Sequence, residues 1–268
     1  MESAMASPVT KEKVLEENRR VHALENRMYL SRHPEQTNFF QTAILKKTLD
    51  EVCATLKSDS RILDLGCGTG YLSLDFLSRG YRLTGLDLSQ EMIQAFDDSI
   101  PETLKSQAQL LVGDVEEFLE QNEDGFEVIA LSAILHHLYD YESVLRKVCA
   151  RLSSGNRLLI FFEPLKQEIQ SPIRFALHRA LSWLDEKLYR SEMNMRNISV
   201  LDEEYHHSDY QRQFGGIDPS HVQKILQDEG LEVLRIEKYC SRRYGVFAWL
   251  ANRVLKTQNT FNLLATRL

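Results

Sequence analysis

An α/β fold, doubly wound around a mainly parallel sheet, is the class that the sequence predicts, and three observations predict it. Short apolar runs alternate with amphipathic helical stretches from residue 37 onward. Three glycines, Gly66, Gly68 and Gly70, separate the first apolar run from the stretch that follows it. The next run closes on an acid, Asp87, about twenty residues beyond the first glycine.

In chain order, Thr10 to Leu30 is highly charged with a sparse stripe of Val14, Val21, Leu24 and Met28, which predicts a helix packed on one side only. Thr37 is the expected cap of a second helix, with Phe40, Ile44, Leu45, Leu49, Val52 and Leu56 at helical spacing. Ile62-Leu63-Asp64-Leu65 suits a buried parallel strand. The glycine turn leads into a helix with Leu72, Leu74, Phe76 and Leu77, closed by Gly80. Strands are expected over 81–87, 109–113, 126–132 and 157–162. Between them lie a helix capped by Ser89, one from Val115 and one from Tyr141 to Leu152. Pro219 opens a further helix that Gly230 stops, and strands at 231–239 and 261–266 bring the number to seven. Two segments break the alternation. In 164–216, Ser171-Pro172 starts a helix with Ile173, Leu177, Ala180, Leu181, Leu184 and Leu188 as its apolar face. In 242–258, Val246, Phe247, Leu250, Val254 and Leu255 stand at helical spacing beside Trp249. Both are expected to cover the mouth of a cleft, although a packing or homodimer role suits them equally.

The chain has 268 residues, a net charge of −7 and 43% hydrophobic residues, the range of soluble globular proteins. The acidic balance disfavours a nucleic-acid partner. Cys53, Cys67, Cys149 and Cys240 are scattered, without metal-ligand spacing, as in reduced cytoplasmic proteins. No run is long enough to span a membrane, and Met1 to Pro8 lacks the features of a signal peptide.

Strand, glycine turn and helix together let a backbone approach a ligand at a helix N-terminus. A nicotinamide-type fingerprint needs glycine at 71, where Tyr71 stands. Leu63-Asp-Leu-Gly-Cys-Gly-Thr-Gly70 instead resembles the first motif of class I S-adenosylmethionine-dependent methyltransferases. The resemblance covers roughly 37–165 and again 217 to the end, so 37–268 is expected to form one domain with 1–36 as a helical segment over the cofactor cleft. It implies a seven-stranded Rossmann-like methyltransferase fold whose last strand is antiparallel and inserted beside its neighbour, with 164–216 as a helical lid.

It also implies S-adenosyl-L-methionine as cofactor and S-adenosyl-L-homocysteine as product. Asp64, Gly66, Cys67, Gly68, Thr69 and Gly70 are expected around the amino acid part. Asp87 is expected at the ribose, with Leu88 and Met92 against the adenine. Asp114, with Val115, is expected at the adenine amino group, where Asp114 also suits a helix cap. Ser132 and Ala133 are expected to line the cofactor, with Tyr29 and His33 reaching it from the N-terminal segment.

Methyl transfer from a sulfonium needs alignment and exclusion of water more than activation. His136 and His137 are the candidate bases, since imidazole titrates near neutral pH, and only one of two adjacent side chains is expected to face the cleft. His136 is chosen. Glu163, at a strand end, is a third catalytic candidate. Tyr205, His206, His207 and Trp183 are expected to complete a substrate pocket, and no metal is expected there. The resulting expectation is methylation of a small molecule at a hydroxyl oxygen. A nitrogen acceptor and a non-catalytic binding protein stay open as alternatives. No Asn-Pro-Pro-Tyr-like tetrapeptide of base-amino methylation follows the fourth strand.

Overall fold

β1 (Arg61–Leu65) runs through the middle of a seven-stranded sheet, pairing in parallel with β2 (Arg82–Asp87) and β4 (Val128–Ser132). The structure is a computed structural model that describes residues 9–25, 28–201 and 207–268. β3 (Ala108–Val112) extends the sheet beyond β2 and β5 (Arg157–Pro164) beyond β4, again in parallel. β7 (Thr260–Arg267) then lies antiparallel between β5 and β6 (Leu231–Tyr239), giving the order β3-β2-β1-β4-β5-β7-β6. All seven expected strands form, and the inserted antiparallel β7 is the one the resemblance implies. The order reverses between β1 and β4, and a crevice opens at such a switch point beyond the strands' carboxyl ends.

The sheet is covered on both faces, so its central strands are apolar throughout. Leu63, Leu65, Ile129, Leu131, Leu158 and Ile160 face one layer of helices, α7 (Val115–Gln121), α8 (Tyr141–Ala150) and α10 (Pro219–Asp228). Ile62, Leu83, Val128, Ala130, Leu159 and Phe161 face the other, α4 (Phe39–Cys53), α5 (Ser73–Ser78) and α6 (Gln90–Ser99). Neighbouring residues such as Ile62 and Leu63 thus serve opposite cores. Phe96 of α6 is fully buried, and truncating a buried Phe to Ala costs about 3–5 kcal/mol. The helices are capped as the sequence suggests by Ser89 and Asp114, whose side chains accept from the Met92 N–H and from the Glu116 and Glu117 N–H groups.

Three expectations need correction. α1 (Lys11–Glu25) ends before Leu30, and Tyr29–Arg32 is a separate single turn, α2, followed by α3 (Pro34–Thr37). Asn38, not Thr37, caps α4: its Oδ1 accepts from the N–H groups of Phe40 (3.0 Å) and Gln41 (3.1 Å), while Thr37 belongs to the turn before. The third concerns α9 (Pro172–Met195), which does begin at Ser171-Pro172. Its buried stripe is Leu181, Asp185, Tyr189 and Met193. Of the expected apolar face only Leu181 is buried; Ile173, Leu177, Ala180, Leu184 and Leu188 are exposed. α9 packs against the wider helical turn Ala251–Leu255, which continues α11 (Gly245–Leu250). A carboxylate wins the inward position because Asp185 accepts the N–H groups of Arg243 and Tyr244, just before α11. These groups open a helix and have no partner within it.

Candidate active site

β1 and β2 end side by side, with Gly66 and Cys67 donating their N–H groups to the Leu86 carbonyl. The chain must then turn sharply, and Gly66, Gly68 and Gly70 all have positive φ. They serve different ends. A Cβ on Gly70 would lie 2.2 Å from the Phe96 ring, so Gly70 fits the turn onto the core. A Cβ on Gly68 would meet nothing within 4 Å, because Gly68 borders open space. The Gly68 N–H donates to Asp87 Oδ2 (2.9 Å) and the Ser89 N–H to Asp87 Oδ1 (2.9 Å). Two backbone donors thus hold the nearly buried Asp87 carboxylate at the mouth of the turn.

Behind the turn lies Asp64. Its Oδ2 accepts from Ser73 Oγ (2.6 Å), while Oδ1 is buried without a partner. Burial pushes this carboxyl up to about 7; the Ser73 hydrogen bond opposes and the Asp87 charge adds to the rise. An unpaired buried acceptor is costly unless a donor arrives. A cationic amino group is a fitting one.

These groups line one cavity. The residues expected around the cofactor meet there: Tyr29, Asp64, Gly66, Cys67, Gly68, Thr69, Asp87, Leu88, Met92, Asp114, Val115, Ser132 and Ala133. Asp114 caps α7 through Oδ1 only, which leaves Oδ2 unbonded among the described residues. Two expected contacts fall elsewhere. Gly70 packs on Phe96 and does not line the cavity, and His33 lines a second cavity. Cys67 is buried, and burial followed by the charges of Asp87 and Asp64 raises its thiol well above the usual value. It therefore stays protonated.

Besides Tyr29, residues of the N-terminal segment that the sequence does not single out for the cleft also border this cavity. Lys11, Val14, Leu15, Asn18 and His22 of α1 close the cavity, and Gln36 joins Tyr29 there. The signal was present in the stripe Val14, Asn18, Val21 and Glu25, whose members are all buried. A polar residue inside an apolar stripe marks a face that meets something other than core, and Asn18 donates to the His137 carbonyl (3.1 Å). Lys11 pairs with Glu116 (2.7 Å) and ties the start of α1 to α7.

The second cavity adjoins the first, and Ala133, His137, His22, Tyr29 and Gln36 border both. It is polar, with Arg32, His33, Glu35, His136, Asp209, Arg212 and Arg243 on its walls. Two backbone oddities build its floor. Ala133 and Phe162 have positive φ without being glycine, and the β5–β7 register shifts between Ile160 and Glu163. Such irregularities re-aim side chains near sites. Here the bulge turns Glu163 inward, where it is fully buried.

Glu163 is saturated. Its Oε1 accepts from the N–H groups of Ile134 (2.7 Å) and Leu135 (2.8 Å), and Oε2 from His136 Nδ1 (2.9 Å). No oxygen is left to act on a substrate, so Glu163 positions His136, whose Nε2 lies on the side of the second cavity, 3.8 Å from Asp209 Oδ1. His137 Nδ1 donates to the Ser208 carbonyl (2.7 Å). Burial, then the neighbouring His136, hold the His137 imidazole well below its usual pKa, so it is neutral. Both histidines border the second cavity, against the expectation that one would turn away: the two ring centroids lie 4.0 Å apart, tilted by 38°, in a tight turn. Burial works against charge on His33, but the carboxylates of Glu35 and Glu25 outweigh it and raise His33 to about 10.

The insert contributes differently than expected. Trp183 is 63% exposed and lines neither cavity, because the Leu181–Met193 stripe turns it outward. His207 is half-buried, with its N–H donating to Glu17 (2.7 Å), and borders neither cavity. Tyr205 and His206 lie outside the described residues. The walls that the insert does supply are Tyr189, Leu201, Asp209 and Arg212. His136, His137 and Asp209 bring ligand-type atoms within 4.8 Å of one another, with Asp209 Oδ1 3.8 Å from His136 Nε2 and 3.5 Å from His137 Nδ1.

Comparison with known proteins agrees with this geometry. Residues 62–155 match a family model described as a methyltransferase domain. A ubiquinone biosynthesis O-methyltransferase of Aeromonas salmonicida is 34% identical over 101 residues, which is 37% of this chain and 42% of that protein. The O-antigen chain terminator bifunctional methyltransferase/kinase of Escherichia coli is 26% identical over 128 residues, 47% of this chain and 18% of that protein. The match therefore spans less than half the length of either relative. Among solved structures, magnesium protoporphyrin IX methyltransferase from Synechocystis PCC 6803 superposes with a TM-score of 0.57 at 15% identity, covering 94% of this chain and all of that one. A [4+2]-cyclase superposes with a TM-score of 0.55 at 18% identity, over 85% and 82% of the two chains. Residues 62–155 thus match the methyltransferase-domain family, and the chain has the fold of class I S-adenosylmethionine-dependent methyltransferases.

Proposed function

We propose that the protein binds S-adenosyl-L-methionine in the first cavity and transfers its methyl group to a hydroxyl oxygen of a small molecule held in the second. The reading is carried by one observation: an Asp64–glycine–Asp87 cradle opens, past Ala133 and His137, onto a polar chamber where Glu163 buttresses His136. The residues present fit the cofactor. The unpartnered Asp64 Oδ1 awaits a donor, the space over Gly68 would be lost with any side chain, and Asp87 offers a fixed carboxylate to a ribose. When bound, the cofactor supplies an already activated methyl group.

The chain's own residues do the rest. Val14, Asn18 and His22 of α1 cover the cleft and exclude water. His136 Nε2 takes the hydroxyl proton, and Glu163 stabilises the resulting imidazolium through Nδ1. His137 stays neutral and borders both cavities, and it holds the wall between them through Ser208. Oxygen is preferred over nitrogen as acceptor because this base is assembled at the cost of a buried carboxylate, and a neutral amine has less need of one. The ubiquinone O-methyltransferase relative points the same way.

The similar fold of a cyclase makes turnover the decisive measurement. Titration calorimetry with S-adenosyl-L-methionine tests the cradle. Transfer of labelled methyl to a panel of phenols, alcohols and amines tests the chemistry. Binding with transfer to hydroxyls is expected; binding without transfer to any acceptor removes the enzyme reading, and absence of binding removes the cofactor.

A further inference from the structure

We propose that the helix pair formed by α9 and the segment Gly245–Leu255 docks this protein on an anionic lipid bilayer surface. The two segments run side by side in opposite directions. Glu192 meets Tyr244, Asp185 meets Arg243 and Tyr244, and His178 meets Thr257. Leu181 packs with Ala251 and Cys240 along the seam. Outside the seam the pair is apolar: ten of the eighteen large hydrophobic side chains exposed among the described residues lie on these two segments. On α9, Ile173, Leu177, Leu184 and Leu188 recur on one side of the helix, and nothing in the described chain covers them. Both tryptophans of the chain, Trp183 and Trp249, are exposed here, at 63% and 48%. A monomer seldom displays so much clustered apolar surface without a partner.

Charge selects the occupant. The chain carries −7 in total, yet residues 171–190 hold four Lys and Arg against two acids, and 239–258 hold four with none. Of the two acids, Asp185 is buried against backbone and Glu186 is paired with Arg190 and Arg243. Arg174, Arg179, Arg253 and Lys256 are exposed and make no ion pair among the described residues. A second copy of this chain would set these cations against their own kind with no free carboxylate between them. A bilayer with anionic headgroups satisfies both halves of the surface, with tryptophan and leucine at the acyl boundary and arginine and lysine at the phosphates. No helix of the described chain is long and apolar enough to cross a membrane, so the contact is with the surface. α9 links this face to the polar chamber, since Tyr189 lines the chamber while Leu188 beside it faces out. An acceptor with an apolar portion could be drawn from the lipid by this route, which rests on the function proposed above; the docking does not.

The test uses the full chain with sonicated vesicles, one set of phosphatidylcholine and one of phosphatidylcholine mixed with phosphatidylglycerol. Because both tryptophans lie on the face, their emission reports it directly. A blue shift and co-sedimentation with the anionic vesicles, weakened by salt, are expected. The triple substitution Arg179→Gln, Arg253→Gln and Lys256→Gln should weaken binding by about fivefold per charge, on the order of a hundredfold together. Leu184→Ser with Leu188→Ser, at exposed positions, should abolish the shift and leave calorimetric binding of S-adenosyl-L-methionine unchanged. Absence of any shift, or equal binding to neutral vesicles, overturns the proposal. So does light scattering that shows a dimer which the leucine substitutions convert to monomer. Cofactor binding that fails while vesicle binding persists would count against the first cavity alone.

Discussion

The two cavities that meet at Ala133 are built in opposite ways. The first is walled on one side by consecutive turns of a short stretch, 64–92, in which backbone donors fix a carboxylate and glycines leave room. The second is assembled from α1, α2, the β5 bulge, α9 and the turn at 209–212, which are far apart in the chain. The first holds one unpaired acid and much apolar surface; the second balances Glu25, Glu35 and Asp209 against Arg32, His33, Arg212 and Arg243. A site for one invariant ligand is suited by local backbone geometry, whereas a site for a particular acceptor is suited by side chains that distant segments supply and exchange.

Substitutions at four positions would break or sharpen this contrast. The largest effect is expected from Asp87→Ala. Cofactor affinity should fall by roughly 3 kcal/mol, above a hundredfold, as charge-assisted hydrogen bonds of about 1.5–3 kcal/mol each are lost. Calorimetry measures it, and unchanged affinity would sink the ribose placement.

Glu163→Ala should cost about 3 kcal/mol of stability by chemical denaturation, because it strands the Ile134 and Leu135 N–H groups. Glu163→Gln keeps an acceptor and should fold, yet lower kcat by about tenfold or more with little change in cofactor affinity. A Gln variant at full rate would show that the buttress is structural only.

The third concerns pH. Asp64 rises from 3.8 to about 7 in the folded chain. A raised carboxyl pKa favours the protonated fold, so its contribution is fully present below pH 3.8 and lost as pH rises through about 7. The ligand-free melting temperature of Asp64→Asn should therefore fall less between these limits than that of the parent. Equal slopes in the two proteins would refute the burial of this charge.

The smallest effect, about 1 kcal/mol, is expected of Asn18→Ala, which removes the hydrogen bond from α1 to the His137 carbonyl. Melting should drop by a few degrees, and the cofactor should dissociate faster if α1 covers the cleft. An unaltered off-rate would separate α1 from the cover.

Legibility followed the same division. Gly66 to Gly70 and Asp87 could be read because φ preference, turn geometry and strand periodicity act within about twenty residues. The caps at Ser89, Asp114 and Ser171 could be read for the same reason. Thr37 was mistaken for a cap because Asn38 stands next to it and both are acceptable to local rules. Glu163 reads in the sequence as a catalytic candidate at a strand end, and the bulge at Phe162 instead turns it beneath the turn at 134–136, where its oxygens are taken up. Trp183 looked like a pocket residue because its helix has two apolar stripes, and period alone does not say which one packs.

By itself, the sequence determined the doubly wound sheet, its seven strands, the glycine cradle and its acid. Each follows from a pattern repeated at short range, where sterics and hydrophobic spacing leave one solution. Only the tertiary structure decided that Asn18 of α1 bonds to the His137 carbonyl, that Glu163 faces inward to His136, and that α9 buries Asp185 while showing leucines and tryptophan to the outside. Those choices rest on which unpaired backbone donors and charges meet across the fold, a matter of contacts between residues 27, 58 and 119 positions apart in the chain.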